Sequence, residues 1–279
     1  LPELPEGVSP VPRWPAWTAP VALTAGFAAA FMGSLVLFVI LSATGASTKH
    51  PPAWADIVGT LIQDGALVVS AVMFARLSRR PRPSDFGLRP TRLWPAVGWL
   101  LLTWASFFAT LIVLRAIFNV DDSAKDAFDR LSRDRGALAV AGLCLLVTVV
   151  APLAEELFFR GYFFTALRNW KGVWVAAAIT GVTFGAVHVF NYVDDFNAVA
   201  AIAIAGLIVF GAALCLLYWR TGSLYPCFAV HALNNSLSFG VLEKWEWWQV
   251  ILLMVGANVV IAAIVLPLAR RGRSSLAPA

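Results

Sequence analysis

Apolar residues fall in long blocks along this chain, not in one-sided helical or alternating stripes, and short polar segments separate the blocks. About eight blocks are long enough to cross a bilayer, whose hydrocarbon core takes roughly 20 helical residues. They cover 21–44, 57–77, 94–118, 137–169, 172–190, 198–219, 223–242 and 247–269. The pattern predicts an all-α fold, a polytopic helix bundle forming a single transmembrane domain over 21–269. In lipid the backbone must bond internally, and a helix does that within one segment. Ahead of the first block, 1–20 carries Pro2, Pro5, Pro10, Pro12, Pro15 and Pro20 and reads as a disordered arm. Residues 270–279, with Arg270, Arg271 and Arg273, read as a basic tail. The first block is longer than a signal-peptide core and reads as a retained span. Neither an internal repeat nor a second domain is visible.

Composition agrees with the blocks. The chain has 279 residues, 59% of them hydrophobic and 13% charged, with a mean hydropathy of +0.76. A soluble domain carries about 25% charged residues. The net charge of +5 does not indicate nucleic acid, because the arginines sit in short loops between apolar blocks, where they set topology. Arg76, Arg79, Arg80, Arg82, Arg89 and Arg92 place the 76–92 connection in the cytoplasm. Eight crossings then put both termini on the same side of a cytoplasmic (inner) cell membrane, and the Lys/Arg-free connection "NYVDDFN" at 191–197 outside. The 119–136 connection, mixing Asp with Arg and Lys, fits the map least well. Trp245, Trp247 and Trp248 belong at an interface. Cys144, Cys215 and Cys227 lie in apolar blocks without metal spacing and read as inert thiols.

Polar residues inside the blocks are the exceptions that matter. A charge at mid-span costs about 2.5–3.5 kcal/mol on insertion scales, yet "PLAEELFFRGYFF" (152–164) holds Glu155, Glu156 and Arg160. Glu156 and Arg160 are four apart, share a helix face and can pair. Glu155 points about 100° away and has no such partner, which suits a general base. His50 lies in a loop, whereas His188 and His231 lie in blocks. Counted at 1.5 Å per residue, Glu155, His188, His231 and Asn235 reach similar depths on three separate helices. His231 and Asn235, four apart, share a face; Asn234 is turned away. Each residue also has a structural reading: a Glu–Arg clamp, a histidine bridge between helices, an Asn as packing glue, Phe184 as core. Gln63 and Asp64 interrupt the second block, lining a hydrated cavity or capping a distortion. The depth match lifts the four together above their separate readings.

"EELFFR" (155–160), "FGAVH" (184–188) and "HALNN" (231–235) fit EExxxR, FxxxH and HxxxN in that order. The chain thereby resembles the CPBP family of CAAX prenyl proteases and bacteriocin-processing (Abi) proteins, over roughly 85–242, including "DFGLR" at 85–89. The resemblance implies a glutamate-type intramembrane endopeptidase. Glu155 and His188 would activate a water, and His231 and Asn235 would stabilise the oxyanion. Glu156, Arg160 and Phe184 would support them. It implies a membrane-associated peptide or protein substrate, with a prenylated C-terminus and peptide or bacteriocin maturation equally open. Zinc is the mechanistic rival, since two His and a Glu could hold it, but no HExxH is present and Asn is an unusual zinc ligand. The expectation is therefore no metal or other cofactor. The functional rival is a non-catalytic or proton-coupled protein, such as a transporter, an immunity protein or a scaffold, built on the same buried polar groups.

Overall fold

The computed structural model describes Pro12 and residues 14–48, 51–119 and 136–274. The described residues are helical throughout, without strands. Their order is α1 (Thr18–Ala43), α2 (Ala53–Arg76), a 3-10 turn (Pro83–Phe86), α3 (Leu93–Phe118), α4 (Ala137–Leu145), a π segment π1 (Leu146–Val150), α5 (Ala151–Glu156), a second π segment π2 (Leu157–Phe164), α6 (Thr165–Val187), a 3-10 stretch (His188–Asp195), α7 (Ala198–Thr221), α8 (Tyr225–Leu242) and α9 (Trp247–Ser274). Six helical stretches are long and apolar enough to cross a membrane. One of them, Ala137–Tyr192, has 56 residues and folds back at Gly172, whose φ of 78° breaks the helix, so it supplies two crossings. α8, diluted by His231, Asn234 and Asn235, completes about eight, and the protein is a multi-pass membrane protein. Large side chains such as Phe31, Val36, Leu101, Ile112, Ile251 and Val259 are exposed, as a surface bathed in acyl chains requires.

Two expectations change. Residues 14–20 are not part of a disordered arm. Trp14 is buried against Phe86 and Tyr162, with ring centroids 5.1 and 5.0 Å away, and α1 already begins at Thr18. The Asn169 amide donates to the carbonyls of Pro12 (2.8 Å) and Trp14 (3.4 Å). Proline density removes donors, but an indole with an apolar socket outweighs that loss. The fourth block, 137–169, expected as one helical span, is broken into α and π pieces. The rest of the expected arm, His50 and 120–135 lie outside the described residues, as does the tail from 275 onward.

Two packing features position the site. α6 and α7 share the largest contact between helices, and they cross through glycine. A Cβ on Gly181 would come 2.6 Å from the Ile208 carbonyl, and one on Gly211 would come 3.0 Å from the Cα of Gly181. At the Arg-rich end, the 83–91 loop clasps the α7–α8 turn. Leu224 N–H donates to the Gly87 carbonyl (2.9 Å), Ser223 Oγ donates to that of Arg89 (2.6 Å), and Arg89 Nε donates to that of Gly222. α8 therefore leaves a fixed turn, which sets how far along it His231 lies.

Candidate active site

The site starts from a proline. Pro152 has no N–H to return to the preceding turn, and its ring crowds the carbonyls before it. The helix responds by widening: in π1 the Ala151 N–H bonds to the Leu146 carbonyl, five residues back. The Val147 carbonyl loses that α-helical donor, and the residue five ahead of it is Pro152 itself. An unpaired carbonyl at membrane depth is costly, and Asn235 Nδ2 on α8 donates to it at 2.9 Å. π2 repeats the theme, since Thr165 Oγ1 donates to the Arg160 carbonyl at 3.1 Å. The two widened segments flank α5, on which the adjacent carboxylates point about 100° apart.

Glu156 points inward and is fully buried together with Arg160. Arg160 Nη1 donates to Glu156 Oε1 at 2.8 Å, and Arg160 Nη2 donates to the Gly211 carbonyl at 3.3 Å. The guanidinium also lies 4.4 Å over the Phe184 ring. Glu156 Oε1 takes a second bond, 2.7 Å from His231 Nδ1. A carboxylate that already accepts from arginine accepts here too, so Nδ1 carries the proton and Nε2 is left for other work. That Nε2 lies 3.8 Å from Glu155 Oε2. This is too long for a direct hydrogen bond but short enough for a small group to touch both. Glu155 is partly exposed, 15% at the side chain, and its Oε2 has no hydrogen-bond partner.

Phe184 ties His188 to this cluster. Its ring lies 4.6 Å from that of His188 and 6.0 Å from that of His231. Its carbonyl is 2.6 Å from His188 Nδ1. A carbonyl only accepts, so this Nδ1 also carries the proton, and Nε2 of His188 is an acceptor when the ring is neutral. Phe210 meets the other side of His231 edge-on at 5.8 Å, which fixes the imidazole between two aromatic faces.

Direct contacts thus join Glu155, Glu156, Arg160, His231 and Phe184. His188 enters through Phe184. Asn235 lies one turn beyond His231, bound to π1, and Asn234 is buried separately. Gln63 and Asp64 part company: Gln63 is exposed, whereas Asp64 is 3% exposed, on a helix that packs against α5. The i,i+4 rule revealed the Glu156–Arg160 pair but not the Glu156–His231 bond, which depends on the rotation of α8. Pro152 inside an apolar helix was the available signal for the widened turns. No group of three His, Cys, Asp or Glu side chains among the described residues has a metal-binding arrangement.

Residues 137–237 match the family model for type II CAAX prenyl endopeptidases, Rce1-like. The comparison with curated proteins gave no match, and that with solved structures gave none. The matched stretch holds both glutamates, His188, His231 and Asn235, and this similarity supports an assignment to the CPBP/CAAX protease family.

Proposed function

We propose that the protein is a glutamate-type intramembrane endopeptidase that cuts a membrane-associated peptide or protein near a prenylated C-terminus. The observation that carries this reading is the unequal treatment of two adjacent carboxylates. Glu156 is bonded to Arg160 and His231, while Glu155 keeps an unbonded oxygen 3.8 Å from His231 Nε2. Glu155 takes a proton from a water that His188 Nε2 orients, and the water oxygen attacks the scissile carbonyl. The negative charge that develops on the carbonyl oxygen is met by His231 Nε2–H and the second N–H of Asn235, whose first is held by Val147. Donation from Nε2 requires the imidazolium form, whose charge Glu155 and Glu156 balance. Glu155 then returns its proton to the leaving amine, the C–N bond breaks, and the site is restored.

No metal takes part in this scheme; chelation should leave the rate unchanged, and added zinc should not raise it. An apolar groove of about 650 Å³ between α4 and α9, lined by Val140, Cys144, Thr148, Trp245 and Leu253, opens beside π1 and would take an isoprenoid tail. The 76–92 loop and both termini face the cytoplasm in this reading. A cysteine at Ser84 should therefore resist impermeant thiol reagents added outside intact cells.

The test is cleavage of a farnesylated CAAX peptide by protein reconstituted in vesicles. Glu155→Gln should lower the rate by about 10²–10⁴ with unchanged melting temperature; Asn235→Ala should lower it by about 10²–10³ and also lower the melting temperature, because the Val147 carbonyl loses its donor. A folded Glu155→Gln variant that cleaves at the original rate ends the proposal.

A further inference from the structure

Asp64 is the one acid buried in α2 that the scheme above leaves idle. The inward residues of this helix include Asp64, Leu67, Ala71 and Ala75, spaced at helical intervals, so the carboxyl occupies a core position. Position alone would favour leucine there, because an ionised side chain at mid-span costs about 2.5–3.5 kcal/mol. Its Oδ2 is buried and has no hydrogen-bond partner, so no structural bond explains that oxygen. α2 packs on α5, which carries Glu155, and on π2, and Glu155 and His231 lie within electrostatic reach of Asp64. Glu155 Oε2 is likewise buried and unbonded.

The other neighbours of α2 cannot neutralise this pair. α1 and π1 contain no titratable side chain, and α4 contains only Cys144. π2 brings Tyr162, a neutral phenol, and Arg160, which is committed to Glu156 and the Gly211 carbonyl. Three carboxylates therefore face one guanidinium and one imidazole in a low-dielectric interior. Desolvated carboxylates on packed helices, outnumbering the nearby cations, favour sharing a proton, and their protonation then belongs to the pair.

We propose that Asp64 is a positioning residue of the active site: with Glu155, directly or through one water, it forms a carboxylate pair that holds a single proton. The proton lets Asp64 donate toward Glu155 and fix its free oxygen beside His231. It also leaves one negative charge, on Glu155, to take the proton of the attacking water. Asp64 touches no reacting atom.

The inference rests on the endopeptidase reading for its role in the reaction, but its chemistry can be read without a substrate. Infrared spectra of the purified protein at neutral pH should show a protonated-carboxyl C=O band that is absent from Asp64→Asn. The same band should be lost or shifted in Glu155→Gln. Asp64→Glu, which keeps a titratable group, should retain it and serves if the Asn variant folds poorly. With the farnesylated peptide, Asp64→Asn should lower kcat by at least about tenfold with KM unchanged. One limb of its pH–rate profile should disappear, a change that simple loss of packing would not produce. A spectrum in which wild type and Asp64→Asn superimpose in the carboxyl region overturns the inference, as do superimposed pH profiles. Failure of the wild type to cut the peptide would instead count against the substrate reading, with the infrared result still deciding the pair.

Discussion

α3 and the broken rod from α4 to π2 have similar apolar composition in the sequence and opposite fates in the fold. α3 has 26 residues, and only Ala96, Thr103 and Phe107 are buried; Ile112 and Phe118 face outward. In π2, by contrast, every residue from Phe158 to Phe164 is buried. Hydropathy reports that a segment avoids water. It does not report whether lipid or protein replaces the water. The difference is carried by charge and by proline: α3 contains no charged residue before Arg115, near its end, whereas the middle of the rod contains Pro152, Glu155, Glu156 and Arg160. Each of these creates an obligation that only neighbouring helices can meet.

The sharpest way to break this contrast is to unpair the rod. Arg160→Met or Glu156→Gln should destabilise the protein by about 3–5 kcal/mol, because each leaves a buried polar partner uncompensated. Thermal unfolding in detergent measures it, and little folded protein is expected at growth temperature. Phe158→Ala, at a position with 0% exposure, should cost about 3–5 kcal/mol through the cavity it leaves. Next comes Gly211→Leu, which forces a side chain into the α6–α7 crossing and should cost about 1–3 kcal/mol. It should also reduce cleavage, since the Gly211 carbonyl holds Arg160. Smallest is Ile112→Ala on α3, where the side chain is 67% exposed: the melting temperature should move by less than about 0.5 kcal/mol allows. If Ile112→Ala proves as harmful as Phe158→Ala, α3 has a partner of its own and the contrast fails.

What could be read in advance follows the same division. The spans, the reversal near Gly172 and the Glu156–Arg160 pair were legible because each depends on local spacing along one helix. The bond from His231 to Glu156 was not, because it depends on how α8 is rotated, and that is set by the Gly87–Leu224 and Ser223–Arg89 clasp far from the site. The widened turns were half legible: Pro152 announces a disturbance, but only the Asn235–Val147 bond shows where the freed carbonyl goes. Gln63 and Asp64 were indistinguishable as letters. One residue of rotation sends the first toward the membrane and the second into the core. The N-terminal error had a different origin, since no rule of proline content anticipates that Trp14 has a socket made by Phe86 and Tyr162.

That socket has a consequence in time. Trp14 precedes the residues that cage it by tens to more than a hundred positions, and Asn169, which ties down its backbone, by more again. During synthesis the indole emerges first but has no place to dock until the second loop, the rod and the turn at Gly172 have all been made. An indole made before its cage is therefore among the last groups to settle. Its burial marks the moment at which the first helix, the loop and the rod have found one another.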